Sequence, residues 1–320
     1  MINNKLAVRL PDKTMLDAHQ LNIFLTAAET LNFTKAAERL HMSQPSVSQH
    51  IHALEKHFAE ILFIRQGRSM ILSDAGRLLI PLARQFVKQS TRINETMASL
   101  KGQIKGRIII GCNAVSGKFI LPEFFYQFHN EFQGVTIACQ TGMCDSPKEA
   151  LRNGNLHFLF TNKTQGLEPC FEVHPVISEE LHVITPLDHP WADREYVEIN
   201  ELPKEKFILP AENTDTYQRV NSALATKNFS LPQLDSFLSF TNEEAIVLTV
   251  QKGLGVSFSS NIISTSLGSV KSIPVKGLEI NRTIAVVRDR TQLSTGARDA
   301  FWQFMTSISD KIRERIKPTK

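Results

Sequence analysis

The sequence predicts an α/β protein headed by an all-α unit that carries a winged helix-turn-helix. Three observations support that reading. Residues 34–72, TKAAERLHMSQPSVSQHIHALEKHFAEILFIRQGRSMIL, fit a short helix, a three-residue break, a second helix and a basic hairpin. Residues 73–100 hold one long helical pattern with an apolar stripe. From Arg107 onward, short apolar runs alternate with amphipathic stretches, the texture of strands interleaved with helices.

Taken in order, residues 1–14 read as a disordered tail. Asp17 is placed to cap a first helix, with Gln20 three residues on as in a capping box. Leu21, Phe24, Leu25 and Ala28 follow the helical period. Thr34 is the expected cap of the second helix, whose buried face would be Ala36, Ala37 and Leu40. Small alanines there permit close helix crossing. Ser43 is the expected cap of the third helix, and Pro45 is tolerated within its first turn. Val47, Ile51, Leu54 and Phe58 fall on one face, and Gln44, Ser46, Gln49, His50 and Ala53 on the other. Leu62, Phe63, Ile71 and Leu72 flank RQGRSM, a turn-bearing basic hairpin.

Ser73 then caps a long helix that runs to about Leu100, roughly 40 Å at about 1.5 Å per residue. Leu78, Leu79, Leu82, Phe86, Ile93, Met97 and Leu100 form its stripe. Its expected partner is its own copy in a second chain; the alternative is the first helix of the same unit. Beyond it, RIIIG, VTIACQTG, LHFLFT, ELHVIT, KFILPA, VSFSS and TIAVVR read as strands, and FILPEFFYQFHNEF as an amphipathic helix. The strand-then-helix theme recurs near Glu180, which suggests two similar lobes. A final helix over 295–316 would present Phe301, Phe304, Met305, Ile308 and Ile312 to a core.

Composition narrows the class. Hydrophobic content of 42% and charged content of 21% are ordinary for a globular chain of 320 residues. No stretch approaches the length of a membrane span, and the first 15 residues hold no apolar run long enough for export, so the cytoplasm is the expected compartment. Residues 1–106 hold 14 Lys and Arg against 8 Asp and Glu, whereas residues 107–320 hold 22 against 24. The basic excess coincides with the helix-turn-helix, as phosphate binding requires. Gly-x-Ser-x-Gly, His-Glu-x-x-His and Walker motifs are lacking, so no enzyme activity and no cofactor are expected. Cys112, Cys139, Cys144 and Cys170 lack zinc spacing. Cys139 and Cys144 are candidates for a thiol sensor, but ACQTGMC offers no basic neighbour, and inert cysteine is the expectation.

At NFTKAAERLHMSQPSVSQHIHALE, then LFIR, then LSDAG, the chain resembles the LysR-type transcriptional regulators. FILPEFFYQF, HPWA and EEAIVLTVQKGLGVSF extend the resemblance, more loosely, through the rest of the chain. The resemblance implies a winged helix-turn-helix at 15–73, a dimerising linker helix and hinge at 74–106, and a two-lobed, periplasmic-binding-protein-like (type 2) effector domain at 107–320. Its first lobe would be 107–179 with 281–320, and its second 180–280. Residues 1–14 would then be an extension or a mis-called start. The implied partners are double-stranded promoter DNA, a small-molecule effector, a second copy within a homodimer or homotetramer, and RNA polymerase. Two positions depart from the pattern: Gln49, where many members carry arginine, and His157, where an aspartate is common.

A helix entering the major groove reads base edges with its first residues, and Gln binds adenine bidentately. Gln44, Pro45, Ser46, Ser48, Gln49 and His50 are therefore the candidates on the recognition helix, Pro45 as a structural member. Thr34, Lys35 and Ser73 are expected at phosphates, and Arg65 and Arg68 along the backbone or minor groove. For the effector, strand ends facing a cleft are the expected site. They supply Asn113, Ser116, Gly117, Thr141, Gly142, Thr161, Asn213 and Thr214. Helix starts there favour an anion, while Glu212 and Asp215 argue against a highly charged one.

Overall fold

The computed structural model describes residues 15–67, 69–100, 103–142 and 146–307. Residues 1–14, Arg68, Cys144, Ile308 and Ile312, on which some expectations fall, lie outside them. The chain forms two compact units, one through residue 101 and one from residue 102.

The first unit contains α1 (Ala18–Thr30), α2 (Phe33–Leu40), α3 (Gln44–Phe58), β1 (Phe63–Gln66), β2 (Ser69–Leu72) and α4 (Asp74–Ser99). Asp17 caps α1 by accepting the His19 N–H, and Ser43 caps α3 by accepting the Ser46 N–H. The expected cap of α2 is corrected. Asn32, in an extended conformation, accepts from Thr34 and Lys35 N–H, so the helix starts two positions early and Thr34 lies inside its first turn. α1 and α2 end on Leu31 and His41 in the left-handed conformation, which reverses the chain within a few residues. Ala27, Ala36 and Ala37 are buried with Phe24, Val47, Ile51 and Leu54, and their small size lets the three helices cross closely.

The stripe on α4 divides. Leu79 and Ala83 enter this same core, with Ile80 and Val87 packed against it. Leu78, Leu82 and Ile93 remain 72%, 63% and 64% exposed, and Phe86, Met97 and Leu100 are exposed with them. One face of the helix therefore meets its own unit, and another is apolar and uncovered within it.

The second unit opens with β3 (Gly106–Cys112), a π-helical turn (Ser116–Ile120) running into α5 (Leu121–Glu131), β4 (Val135–Thr141), α6 (Pro147–Arg152) and β5 (Phe158–Thr161). β3 lies parallel to both β4 and β5. A 15-residue strand, β6 (Phe171–Thr185), follows. Next come β7 (Lys206–Pro210), α7 (Asp215–Ala225), β8 (Asp235–Phe240), α8 (Glu243–Gln251), β9 (Ser257–Ser260), α9 (Asn261–Leu267) and β10 (Lys271–Ile273). β11 (Asn281–Asp289) and α10 (Gly296–Thr306) complete the described chain. The main sheet runs β10-β6-β11-β5-β3-β4, with β9 also on β6, and β7 pairs with β8.

Two cores flank this framework. Ile108, Ile110, Phe124, Phe128, Phe158 and Phe301 belong to one; Val183, Phe207, Val220, Phe258 and Ile273 belong to the other. β6 serves both, giving Val176 and Ile177 to the first and Leu181 and Val183 to the second. Only its ELHVIT portion reads as a strand in the sequence. Pro175 interrupts the rest, and proline is tolerated in a strand at irregularities. The β6–β11 register shifts there, between Ile284, paired with Ile177, and Ala285, paired with Pro175.

Candidate functional site

In the first unit, burial of Val47, Ile51 and Leu54 turns the other side of α3 outward. Gln44, Pro45 and Gln49 are exposed, and Ser46, Ser48 and His50 are half-buried. The His50 ring meets His19 edge-on at 5.6 Å. Thr34 and Lys35 are exposed at the start of α2, and Arg65 is exposed on β1. A groove of about 730 Å³ gathers Lys35, Gln44, Ser48 and Arg65 with Asn32 and His52. Pro45, Ser46, Gln49 and His50 are outside its lining.

Two results depart from expectation. Ser73 is buried, its hydroxyl donates to the Ile61 carbonyl at 2.5 Å, and it accepts the Gly76 N–H at 3.0 Å. Its side chain caps α4 and ties it to the segment before β1. Sequence reasoning also passed over Glu55. One carboxylate oxygen accepts the Leu62 and Phe63 N–H groups at 2.9 and 3.3 Å, and the other meets His52 Nδ1 at 3.1 Å. Glu55 thereby ties α3 to the first hairpin strand. Its spacing from a strand seven residues on gives no periodic signal.

In the second unit, a cleft of about 450 Å³ opens where the π-helical turn, α7 and α8 begin. Asn113, Val115, Lys118, Phe119, Asn162 and Lys163 line one side; Thr214, Asp215, Thr216, Asn242, Glu243 and Glu244 line the other; Arg282 joins them. Asn113 caps the turn by accepting the Ser116 N–H at 2.7 Å, and Thr214 caps α7 by accepting the Tyr217 N–H. An ion pair joins Lys118 to Glu244.

Of the expected effector residues, Asn113 and Thr214 line this cleft, and Ser116, Gly117, Thr141, Gly142, Thr161 and Asn213 do not. Ser116 is fully buried. Gly117 packs so tightly that a Cβ would stand 2.6 Å from Thr141 Cγ2 and 3.1 Å from Cys112 Sγ. The Thr161 hydroxyl accepts the Lys163 N–H, leaving Asn162 and Lys163 toward the cleft. Asn213 lies exposed in the turn before α7, and Gly142 is exposed beyond the end of β4.

The feature least visible in the sequence is the charged cluster behind the lining. The Arg282 Nε donates to Glu179 Oε1 at 2.5 Å. Its other nitrogens donate to Thr216 Oγ1 at 3.1 Å and to Glu243 Oε2 at 3.4 Å. Glu243 further accepts the Ser259 hydroxyl and the Ser260 N–H, and the Ser260 hydroxyl donates to Glu179. Burial works against the Arg282 cation, yet the Glu243 and Glu179 carboxylates outweigh it and hold the guanidinium above its ordinary range. The pairing satisfies charges that would be costly alone in the interior. It also joins β6, α7, α8, β9 and β11 at the cleft.

Residues 18–77 match the family described as bacterial regulatory helix-turn-helix protein, lysR family. Residues 101–308 match the LysR substrate binding domain. A probable RuBisCO transcriptional regulator of Synechocystis sp. is 28% identical over 290 residues, 88% of this chain and 83% of the relative. Full-length CbnR, solved complexed with its target DNA, aligns with 94% of this chain and 100% of its own at a TM-score of 0.54 and 18% identity. The effector binding domain of QuiR, solved in complex with shikimate, aligns with 65% of this chain and 98% of its own at a TM-score of 0.55 and 20% identity. At these identities the two structures establish a shared fold. Both units are thereby accounted for, and the chain belongs to the LysR family of transcriptional regulators, with a DNA-binding helix-turn-helix followed by an effector-binding domain.

Proposed function

We propose that α3 reads promoter DNA in the major groove, and that a small molecule held in the cleft between two effector lobes modulates that binding and the bend of the DNA. The observation that carries this is the groove in the first unit. It sets exposed Lys35 and Arg65 beside Gln44 and Ser48, with cations flanking polar side chains at the start of one helix. Gln44 and Gln49 supply base-edge hydrogen bonds, with Ser46, Ser48 and His50 beside them, while Thr34, Lys35 and Arg65 meet phosphates. Arg68, between β1 and β2 in the sequence, adds to the backbone contacts.

The exposed apolar face of α4 is the proposed seam of a homodimer, two of which would form a tetramer. The cleft holds Lys118, Lys163 and Arg282 against Asp215, Glu243 and Glu244, so its ligand is a small polar molecule of low net charge, an anion included. Effector binding shifts the population of lobe arrangements and, through the oligomer, the spacing of the readers. RNA polymerase is the partner at the promoter, the compartment is the cytoplasm, and the chain is a regulator and not an enzyme.

Titrations of the full chain against operator variants test the reading. Gln49→Ala is expected to lose about 1–3 kcal/mol at its cognate base and to relax specificity there. A loss uniform across all sequences would overturn the assignment. An equal preference of the unsubstituted chain for chromosomal fragments and random competitor, at low salt, would overturn the whole proposal.

A further inference from the structure

We propose that Cys112 and Cys139 form a reversible disulfide, with exposed Cys139 as the sulfur that reacts first with a hydroperoxide and buried Cys112 as the one that resolves it. Ile110 pairs with Cys139, and Cys112 with Thr141, across the parallel β3–β4 ladder. The side chains of Ile110 and Cys112 share a face, since alternate strand residues do. Cys139 therefore reaches Cys112 diagonally on the same face. The two sulfurs stand 3.4 Å apart. A disulfide requires about 2.05 Å, so closure asks for a movement of little more than an ångström at the ends of two strands.

Access is divided in the way such chemistry needs. β4 is the terminal strand in the order of the sheet. Cys139 is exposed on it, and Cys112 is buried. The hydrogen bond with Cys112 favours the Cys139 thiolate and, against the opposing effect of burial, lowers its pKa to about 7. The same bond, together with burial, pushes the Cys112 thiol up. The shared proton thus belongs to Cys112, and the accessible sulfur carries the charge. A neighbouring thiol here takes the part usually played by a basic side chain.

The steps balance. The Cys139 thiolate attacks hydrogen peroxide; an S–O bond forms, the O–O bond breaks, and hydroxide leaves and combines with the proton that Cys139 released on ionising, giving water. The Cys112 sulfur then attacks the sulfenic sulfur, the S–S bond forms, the S–O bond breaks, and the departing oxygen leaves as water with the Cys112 proton. Two thiols and one peroxide give one disulfide and two waters, and an external dithiol reverses the change by exchange.

The test treats the reduced full-length chain with hydrogen peroxide, blocks free thiols and maps peptides without reduction. Trypsin leaves Cys139 and Cys144 on one peptide, so the map is made on both the native chain and Cys144→Ser. A link between Cys112 and Cys139 in both, lost on treatment with dithiothreitol and retained in Cys170→Ser, is the expected result. In the reduced native chain, alkylation of Cys139 should be half-maximal near pH 7, and in Cys112→Ser it should move toward the ordinary thiol value of about 8.5. A link from Cys139 to Cys144, oxidation of Cys139 with Cys112 still free, or no oxidation of Cys139 would each overturn the proposal. The map on the native chain needs no variant to fold.

Discussion

The proposed DNA-reading face and the proposed effector cleft are built on opposite plans. The reader draws its polar residues from one stretch of chain: Lys35, Gln44, Ser48 and Arg65 line the same groove within 31 positions. Its core is alanine and branched aliphatic side chains at helical spacing, and its charges lie outside. The cleft gathers Thr216, Glu243 and Arg282 with Glu179 behind them, from two helices and two strands separated by dozens of residues. Its charges lie inside. A site made of neighbours in sequence keeps its shape mainly through packing; a site made of distant segments needs buried polar pairs to fix how those segments meet.

The largest expected effect follows from that difference. Arg282→Met leaves Glu179 and Glu243 buried without their cation, a loss of about 3–5 kcal/mol. Trp191 and Trp302 are the two tryptophans of the chain, and both lie in the second unit. Tryptophan fluorescence during urea unfolding therefore reports the unit that should be damaged. Adding Glu179→Gln and Glu243→Gln should restore part of the loss, because the orphaned charges go with the cation. An unfolding midpoint unchanged in Arg282→Met would mean that packing, not the ionic cluster, fixes the cleft, and the contrast between the two regions would fail.

The reader has one polar tie of its own, and it sharpens the comparison. Glu55→Ala removes the acceptor for the Leu62 and Phe63 N–H groups, both on buried residues. The expected loss is about 1–3 kcal/mol. Hydrogen exchange at those two amides should accelerate, and DNA affinity should fall as the hairpin loosens from α3. Should both amides keep their protection, the hairpin would be held by Leu62 and Phe63 packing alone.

These sites also differ in how legible they were. The helix-turn-helix was readable nearly residue by residue, because Val47, Ile51 and Leu54 keep a helical period and Ser43 and Ser73 are caps in sequence order. Even the error at α2 was one of two positions, Asn32 capping in place of Thr34. For the cleft, sequence reasoning found the strand ends, and two of its eight candidates line the cavity. Asn113 and Thr214 line it, whereas Ser116 and Gly117 turn into the packing of β3 and β4. Glu179 and Arg282 were invisible because nothing local distinguishes a carboxylate destined for burial from a solvated one. Their meeting depends on the antiparallel register that pairs them across β6 and β11. The contact between Cys112 and Cys139 was hidden for the same reason, since the local segment around Cys139 offered no activating group.

The smallest effect separates buried polarity at the cleft from polarity at the sheet surface. His182 on β6 meets Ser272 through Nδ1 at 3.1 Å and Glu180 through Nε2 at 3.0 Å. Desolvation dominates there and lowers the pKa of the imidazole, with Glu180 opposing. A depressed value means that the unfolded chain takes up the proton first on acidification. The stabilising contribution is therefore complete above the ordinary imidazole value of about 6.5 and is lost as pH falls through the lower, folded-state value. His182→Asn, unable to titrate, should show a smaller fall in the urea midpoint below about pH 6.5 than the native chain, followed by the same tryptophan signal. The Arg282 cluster should respond differently, because its guanidinium stays charged across this range. An acid sensitivity that survives His182→Asn unchanged would place its source elsewhere, and the surface pair would then be of no consequence for the stability of the second unit.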